Sequence, residues 1–282
     1  FPLPEMLAAL CLSIGLPFGA AVGFEWTAKR VNNVDEIQEQ VGVDVIGEIV
    51  ALPRFGMGHQ AMKRNLASRQ LFEESVDGLR TSLVLPDSLR QIQVLAIASA
   101  VSSEGKTSVA TELAISIART ATKPVLLIDG DLRAPDIHRL FDIDASPGLA
   151  EVLTGKIGFN AAMRKTDIPQ LHTLPAGMLD TSPHRLLHNQ EFPKLLDDVR
   201  DRYAYIIVDT PPILAASESL VLAKHADATL VCAMRDRTRL THMKRAFERL
   251  NSAGANSIGV VMSGLPARSY ASRYGSYSYS KA

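Results

Sequence analysis

The sequence predicts an α/β fold built on a doubly wound, mostly parallel sheet. Apolar runs of strand length alternate with amphipathic segments of helical spacing along most of the chain. The run at 124–128 follows the run at 94–98 after about twenty-five residues, which is the spacing of a βαβ unit and therefore of a parallel pair. Open sheets of this kind bind their ligands at the carboxyl ends of the strands.

The loop at 100–107 joins the first of these runs to an amphipathic helix. It matches the pattern G-x-x-x-x-G-K-[ST], except that Ala100 stands at the first glycine position. The amides of such a loop and the positive end of the following helix converge on one anion. A Gly-Lys-Thr sequence that merely opens an ordinary helix is the alternative. The candidate phosphate-binding residues are Ser102, Ser103, Glu104, Gly105, Lys106, Thr107 and Ser108.

Acidic side chains follow two further predicted strands. Asp129 and Asp131 end one strand, and Asp209 ends another. A nucleoside triphosphate with Mg²⁺ needs this arrangement, because amides and Lys106 hold the phosphate charge while carboxylates and a hydroxyl hold the metal. A single acidic strand end is usually a helix cap, but two beside such a loop predict nucleotide binding. The expected metal ligands are Thr107, Asp129 and Asp209.

The remaining segments complete the sheet and its helical layers. Residues 45–52 are expected to be extended, and the polar, aperiodic residues 56–70 are expected to be a linker. The other predicted strands are 171–174, 205–208, 228–233 and 258–262, and the predicted helices are 34–41, 71–83, 109–118, 191–202 and 240–253.

Residues 6–24 carry no charged side chain. At the helical rise of about 1.5 Å this stretch covers roughly 28 Å, close to the thickness of a bilayer core. Trp26, Lys29 and Arg30 follow as an interfacial anchor and a positive-inside flank, so we expect a transmembrane helix with the rest of the chain in the cytoplasm. A signal peptide fits poorly without a preceding basic region, and a buried core helix is the other alternative.

Composition narrows the classes of partner. Thirty basic and thirty acidic residues give a formal net charge of zero, which argues against a nucleic-acid-binding protein held by bulk electrostatics. Cys11 and Cys232 lie far apart and show no metal-ligand spacing. We therefore expect reduced thiols in a cytosolic compartment and no disulfide.

The C-terminal segment concentrates tyrosine. Four of the six tyrosines fall among serine, glycine and basic residues at the very end of the chain: Tyr270, Tyr274, Tyr277 and Tyr279. No apolar periodicity is present to fold this segment, so we expect residues 266–282 to be a flexible tail. A sticky or base-stacking linker is the alternative.

These features together resemble the bacterial tyrosine kinases attached to polysaccharide co-polymerases. The resemblance is carried by the loop at 100–107, the D-x-D-x-R pattern of Asp129, Asp131 and Arg133, the IIVDTPP segment at 206–212, and the tyrosine cluster. The related ParA/MinD-type ATPases carry a signature lysine at the second loop position, where this chain has valine. That difference favours the kinase branch.

The resemblance implies a fold of the P-loop NTPase type and an ATP-dependent protein-tyrosine kinase that uses Mg²⁺. Lys106 would bind phosphate, Asp209 would assist the metal, and Asp129 and Asp131 would position the metal and orient the tyrosine hydroxyl. A phenol of pKa about 10 needs such a neighbour to react at neutral pH. Arg133 would either steady the transferring charge or only pair with an aspartate.

The resemblance also implies partners. The tail tyrosines of the same or a neighbouring subunit would accept phosphate, and proteins of polysaccharide polymerisation and export would interact with the chain. Family members form a ring through an E-x-x-R-x-x-R helix, and the comparable residues here are Glu74, Asp77 and Arg80, so an acid replaces the middle arginine. We expect a homo-oligomer in which Glu74 and Arg80 are contacts, with the ring put in doubt by Asp77. Relatives usually carry an asparagine near the base, where this chain has Ser263.

We expect four parts: a transmembrane helix and flank at 1–30 that end a membrane domain lying before residue 1, a juxtamembrane segment and linker at 31–70, a kinase domain at 71–265, and the tail at 266–282. The leading hypothesis is a tyrosine autokinase of the bacterial inner membrane that regulates a cell-surface polysaccharide. A ParA/MinD-type ATPase switch and a nucleotide-binding scaffold without kinase activity are the alternatives.

Overall fold

The computed structural model describes residues 11–19, 29–52, 59–86, 89, 91–187 and 190–275, and of residues 59–66 it describes the backbone alone. The first half contains helix α1 (residues 11–19), α2 (Val34–Val41), β1 (Val45–Val50), α3 (His59–Val84), β2 (Val94–Ser99), α4 (Lys106–Ala118), β3 (Val125–Asp129), α5 (Ile137–Leu140), α6 (Leu149–Leu153), α7 (Phe159–Ala162) and β4 (Arg164–Lys165). The second half contains β5 (Leu171–Leu174), α8 (Pro183–Leu187), α9 (Glu191–Arg200), β6 (Tyr205–Asp209), α10 (Glu218–His225), β7 (Ala228–Met234), α11 (Leu240–Ala253), β8 (Ser257–Leu265) and α12 (Ala267–Tyr274).

The strands form one sheet in the order β1-β8-β7-β2-β6-β3-β5-β4. Every neighbouring pair is parallel except β4 with β5. β2 lies between β7 and β6, and β6 in turn pairs with β3, so the carboxyl ends of β2, β6 and β3 meet at one edge. The predicted mostly parallel α/β fold is confirmed.

Helices cover both faces of this sheet. Alternate side chains of β2 enter different cores: Leu95 and Ile97 pack with α3 and α4 on one face, while Val94 and Ala96 pack against α9 and α10 on the other. α11 extends this second layer over β7 and β8 through Met243. Strand side chains alternate between the two faces of a sheet. When helices cover both faces, a central strand is therefore apolar at nearly every position, as β2 is.

The segment before the expected kinase domain belongs to the sheet. β1 pairs in parallel with β8, and α3 packs against β1 so closely that a Cβ on Gly47 would lie 2.9 Å from Leu79 Cδ1. Glycine at this position therefore lets the helix and the strand approach each other. The extended segment predicted at 45–52 is confirmed, and the domain boundary expected at residue 71 falls inside α3.

The linker predicted at 56–70 is wrong from His59 onward, because α3 begins there instead of at residue 71. The segment 59–70 contains neither glycine nor proline and is rich in Ala, Met, Lys, Arg and Gln, which are strong helix formers. It lacks an apolar stripe, and this misled the prediction. Residues 56–58 lie outside the described part of the chain.

The flexible tail predicted at 266–282 begins with a helix. α12 follows Pro266 and ends at Tyr274, with the Gly275 amide donating to the Ala271 carbonyl. Contacts with distant parts of the chain, described below, stabilise this helix, and local periodicity does not report them. Residues 276–282, with Tyr277 and Tyr279, lie outside the described residues.

The expected transmembrane helix at 6–24 is described only in part. Residues 11–19 are helical and exposed, and the remainder of the span lies outside the described residues. None of the helices in the part of the chain that the structure describes has both the length and the apolar character needed to cross a bilayer.

Candidate active site

The loop between β2 and α4 has the backbone of an anion cradle. Ser103 and Gly105 both adopt positive φ, at 65° and 86°, and Gly105 is the N-cap of α4. The glycine is needed there for its left-handed conformation, and also because an added Cβ would lie 3.2 Å from Ser263 Oγ. Ser102 and Ser108 are exposed beside these residues, so hydroxyls and amides line the mouth of the loop.

The segment after β6 supports the loop from below. The Ile213 and Leu214 amides donate to the carbonyls of Ser99 and Ala100, at 2.9 and 3.0 Å. The Thr210 hydroxyl donates to the Ile97 carbonyl at 3.0 Å. The TPP segment therefore supports the loop, which explains why both motifs belong to one site.

Glu104 differs from its expected role. Its side chain is fully buried, and Oε2 accepts the Val101 amide at 2.9 Å. Burial raises the pKa of this carboxyl, although the Val101 amide opposes the rise by donating to it. Glu104 thus fixes the loop from inside, and only its backbone remains for a phosphate. The sequence placed Glu104 in the loop but gave no signal for this inward direction.

Lys106 is at the centre of the acidic strand ends. Its Nζ lies 2.9 Å from Asp131 Oδ2, 3.8 Å from Asp209 Oδ2 and 3.3 Å from Thr107 Oγ1. Burial lowers the pKa of Lys106, but the negative charges of Asp209 and Asp131 raise it by more than burial lowers it. The net shift is therefore upward, and the side chain stays an ammonium. The structure thus brings Lys106 together with the three acidic side chains at the ends of β3 and β6.

Asp129 and Asp209 are costly to ionise. Burial, together with Asp209 and Asp131, raises the pKa of Asp129 to about 8, even though the Ile137 amide donates to its Oδ2. Burial raises the pKa of Asp209 to about 6, against the opposing effects of Lys106 and Thr107. Oδ1 of each residue is buried and has no hydrogen-bond partner among the described residues. Two unsatisfied acceptor oxygens beside an ammonium fit a site completed by a cation.

Gly130 brings the two acidic strand ends together. Its amide donates to the Asp209 carbonyl at 2.8 Å, and a Cβ at this position would lie 2.6 Å from the same carbonyl oxygen. Any larger residue would push β3 from β6. The pattern Asp-Gly-Asp was visible in the sequence, but its spatial reason was not.

Arg133 pairs with a glutamate that sequence reasoning missed. Its Nη2 lies 2.5 Å from Glu218 Oε1, and the Glu218 side chain is almost fully buried at the start of α10. The two alternatives predicted for Arg133 were the transferring charge or an aspartate. The acidic partner in the structure is Glu218 of α10 and not an aspartate, and it holds the half-exposed guanidinium at the surface.

An apolar cavity of about 260 Å³ opens beside the start of α4. It is lined by Val50 of β1 and Leu52 just after that strand, by Phe72 and Val76 of α3, and by Ser263 of β8, together with Gly105 itself. Ser263 Oγ donates to the Ala233 carbonyl at 3.3 Å and borders the cavity where the phosphate loop ends. Ser263 therefore lies on the wall of this cavity, next to Gly105.

The carboxylates do not make a complete metal site by themselves. No group of three or more His, Cys, Asp or Glu side chains in the described ranges is arranged to hold a metal ion alone. Mg²⁺ usually binds through one or two carboxylates together with substrate phosphates and water. The unpartnered oxygens of Asp129 and Asp209 fit that mode, with Thr107 beside them.

The expected oligomer contacts lie on α3. Asp77 Oδ1 accepts the Ser116 hydroxyl at 2.5 Å, and Arg80 Nη1 donates to the Ser116 carbonyl at 2.9 Å. Asp77 and Arg80 thus join α3 to α4 within the chain, while Glu74 is exposed. Tyr270 and Tyr274 lie on α12, packed near α3, and are not part of the Lys106 cluster.

Comparison with known proteins identifies the family to which the chain belongs. A family model described as an AAA domain matches residues 92–251, more than half of the chain. Tyrosine-protein kinase YwqD of Bacillus subtilis is 30% identical over 220 residues, which cover 77% of this chain and 92% of the relative. The chain belongs to the bacterial tyrosine kinase family. Putative tyrosine-protein kinase EpsB of Ralstonia solanacearum is 30% identical over 241 residues, covering 84% of this chain but 32% of that protein.

Solved structures place the chain within this family's fold. The kinase domain of Escherichia coli tyrosine kinase ETK matches with a TM-score of 0.73 and 27% identity. The match covers 89% of the present chain and all of the ETK chain. The septum site-determining protein MinD of Pyrococcus horikoshii, solved with Mg-ADP, reaches 0.53 at 20% identity over 64% of the chain and 76% of MinD, and shares only the fold. The chain spans between 26% and 32% of several longer tyrosine-protein kinase relatives.

Proposed function

We propose that this chain is the kinase part of a membrane-attached polysaccharide co-polymerase and transfers the γ-phosphate of ATP to tyrosine. One observation carries the proposal: a buried lysine at the start of α4 lies between Asp131 and Asp209, beside two acidic oxygens without partners among the described residues. An ammonium, a row of loop amides and buried carboxylates together suit a metal-bound triphosphate.

Lys106 would bind the outer phosphates. In the structure its ammonium contacts Asp131, and phosphate oxygens would compete for the same protons. The side chain is about one-tenth exposed, so it is already ordered for this role. The amides of the loop at 100–107 and the positive end of α4 would hold the remaining phosphate charge.

Asp129, Asp209 and Thr107 would hold Mg²⁺, which neutralises charge on the phosphates when bound. Occupation of the site would require Asp129 to lose the proton that burial favours. Asp131 would then be free to orient the tyrosine hydroxyl or accept its proton, because Lys106 would have moved its hydrogen bonds toward phosphate. Arg133, held by Glu218, would lie at the rim of the site.

The cavity beside Gly105 would receive the nucleoside base. It is largely apolar, borders the loop that would hold the phosphates, and has Ser263 at its inner edge. Flat heteroaromatic rings bind in such concave apolar sites, oriented by a few polar groups. The base and the triphosphate would thus lie on opposite sides of Gly105.

The membrane attachment, the polysaccharide partners and the homo-oligomer belong to the same proposal. Support for the attachment comes from the uncharged stretch at 6–24. Support for the partners comes from the family of the chain. Arg80 and Asp77 contact α4, so an oligomer would have to use these side chains while they hold the fold together.

The test is phosphate transfer by the purified chain with ATP and Mg²⁺, read by mass spectrometry of tyrosine-containing peptides. Phosphotyrosine is expected in the wild type and in Lys123→Ala, which removes an exposed lysine. It is expected to vanish in Lys106→Ala. Release of inorganic phosphate without phosphotyrosine would instead identify an ATPase switch, and failure to bind ATP would identify a scaffold.

A further inference from the structure

The carboxylate of Glu48 lies buried at the edge of the sheet, away from the Lys106 cluster. It projects from β1, and its side chain is only 3% exposed. Oε1 accepts Arg273 Nη1 at 2.6 Å, and Oε2 accepts the Tyr274 hydroxyl at 2.8 Å. Both oxygens are thus occupied by consecutive residues of α12. Buried carboxylates persist only with such partners, so this one defines where α12 docks.

α12 has little else to hold it. None of the eight residues of this helix, all of them described, is buried. Tyr270 is partly buried against the core, and its ring contacts that of Tyr274 at a tilt of 43°, with centroids 4.8 Å apart. The docked position of the helix therefore depends strongly on Glu48.

The hydrogen bond engages the atom that a tyrosine kinase would modify. The Tyr274 ring is about half exposed, but its oxygen donates to Glu48. Partial burial raises the pKa of Tyr274, and the hydrogen bond to Glu48 adds to this rise, so the hydroxyl remains a protonated, weak nucleophile while docked.

We propose that Glu48 gates Tyr274: α12 must leave Glu48 before Tyr274 can accept phosphate, and phosphorylation then prevents α12 from docking again. This inference rests on the proposed kinase activity. In the transfer, a bond forms between Tyr274 Oη and the γ-phosphorus and the bond from that phosphorus to the β–γ bridging oxygen breaks. ADP leaves, and the phenolic proton passes to Asp131 or to water.

Charge repulsion explains why α12 would not dock on Glu48 again once Tyr274 is phosphorylated. A phosphoryl group adds roughly 1.5 to 2 negative charges at the position where a proton now meets Glu48. Arg273 can neutralise only one of the resulting charges, and the new group has no phenolic proton to donate. A dianion beside a buried carboxylate would be expelled together with its helix.

The docking contact is tested without ATP, by hydrogen exchange at the Tyr270 and Gly275 amides, which donate within and at the end of α12. Glu48→Gln is expected to speed this exchange about tenfold, the effect of losing a charge-assisted hydrogen bond. Glu39→Gln, which removes an exposed glutamate on α2, is the matched control and should leave it unchanged. If Glu48→Gln folds poorly, the same exchange measurement can be made on the exposed side of the contact. Tyr274→Phe and Arg273→Gln each remove one hydrogen bond to Glu48 and are expected to speed exchange as well.

The gate is tested with ATP and Mg²⁺ by following phosphorylation of each tyrosine over time. Tyr274 is expected to react after Tyr277 and Tyr279 in the wild type and in Glu39→Gln, and as early as they do in Glu48→Gln. Wild-type chains phosphorylated at Tyr274 should exchange their α12 amides as fast as Glu48→Gln. Equal exchange in Glu48→Gln and wild type, or equal timing of Tyr274 in both, would overturn the gate.

The two failures are distinguishable. If no tyrosine is labelled in any variant, the proposed kinase function fails, and the gate fails with it, while the exchange data still report whether Glu48 docks α12. If Tyr277 and Tyr279 are labelled and Tyr274 reacts at their rate in every variant, the kinase function stands and the gate alone is overturned.

Discussion

Asp129 and Asp209 lie directly opposite each other in the parallel register of β3 and β6, and both side chains are buried. Each keeps one carboxylate oxygen without a hydrogen-bond partner among the described residues. Two acids so placed repel each other once ionised. The chain therefore holds at its strand ends two acids that destabilise the fold once both are ionised in the absence of a cation.

Asp129→Asn should stabilise the chain without nucleotide or Mg²⁺, increasingly as pH rises. The pKa of Asp129 is about 8 when folded and near 3.8 when unfolded, so the folded state binds the extra proton and wild-type stability falls across this window. The gain in Tm from the substitution is expected to be small near pH 4, to grow up to about pH 8 and then to level off. Asp201→Asn, at an exposed position, serves as the control. A gain independent of pH would contradict the prediction.

Gly130→Ala should separate β3 from β6. The new Cβ would lie 2.6 Å from the Asp209 carbonyl oxygen and 2.8 Å from Leu222 Cδ1, so overpacking is expected to cost about 1–3 kcal/mol of unfolding free energy. Gly78→Ala is the matched control, because nothing lies near its Cβ in α3, and it should add up to about 1 kcal/mol. Urea denaturation measures both. Equal effects in the two variants would refute the close approach.

Val76→Phe should fill the cavity beside Gly105. If the base binds there, KM for ATP is expected to rise about tenfold or more, while inhibition by tripolyphosphate, which has no base, stays unchanged. Val152→Phe, at a partly buried position packed against the core on the other face of the sheet, controls for general overpacking. A parallel loss of affinity for both ligands would place the base elsewhere.

Arg80→Ala should weaken the fold itself. Its guanidinium donates to the Ser116 carbonyl, so the expected loss is about 0.5–1.5 kcal/mol of unfolding free energy at any protein concentration. Glu74→Ala removes the exposed neighbour on the same helix and should leave stability unchanged. If Arg80→Ala alters only self-association, measured by sedimentation, its intrachain contact is unimportant.

The parts of the fold that local pattern encodes were predictable. β2, the loop and α4 follow each other within the sequence, and the acids after β3 and β6 could be assigned to one sheet edge because parallel strands share it. The first half of α3 and the helix α12 were missed. Neither shows an apolar stripe, and α12 depends on Glu48, which lies far away in the chain.

The direction of side chains was the harder part of the site. The Glu104 side chain points inward beneath the loop, and the buried Glu218 side chain at the start of α10 binds Arg133. Nothing in the sequence distinguishes either residue from an exposed acid. Such roles depend on which strands become neighbours, and a single sequence does not record that order. Lys106 was predictable because its neighbours in the motif already define its surroundings.

Val45 of β1 pairs with Val260 of β8, so at one border of the sheet the first of the described strands pairs with the last. During synthesis β1 is made long before its partner, and it must wait while the strands between them are translated. The phosphate loop can form earlier, but Ser263, which lies next to Gly105, is added only with β8. A nascent chain therefore carries the phosphate loop before the cavity beside Gly105 has its Ser263 wall. We expect the nucleotide site to be complete only after β8 has been translated.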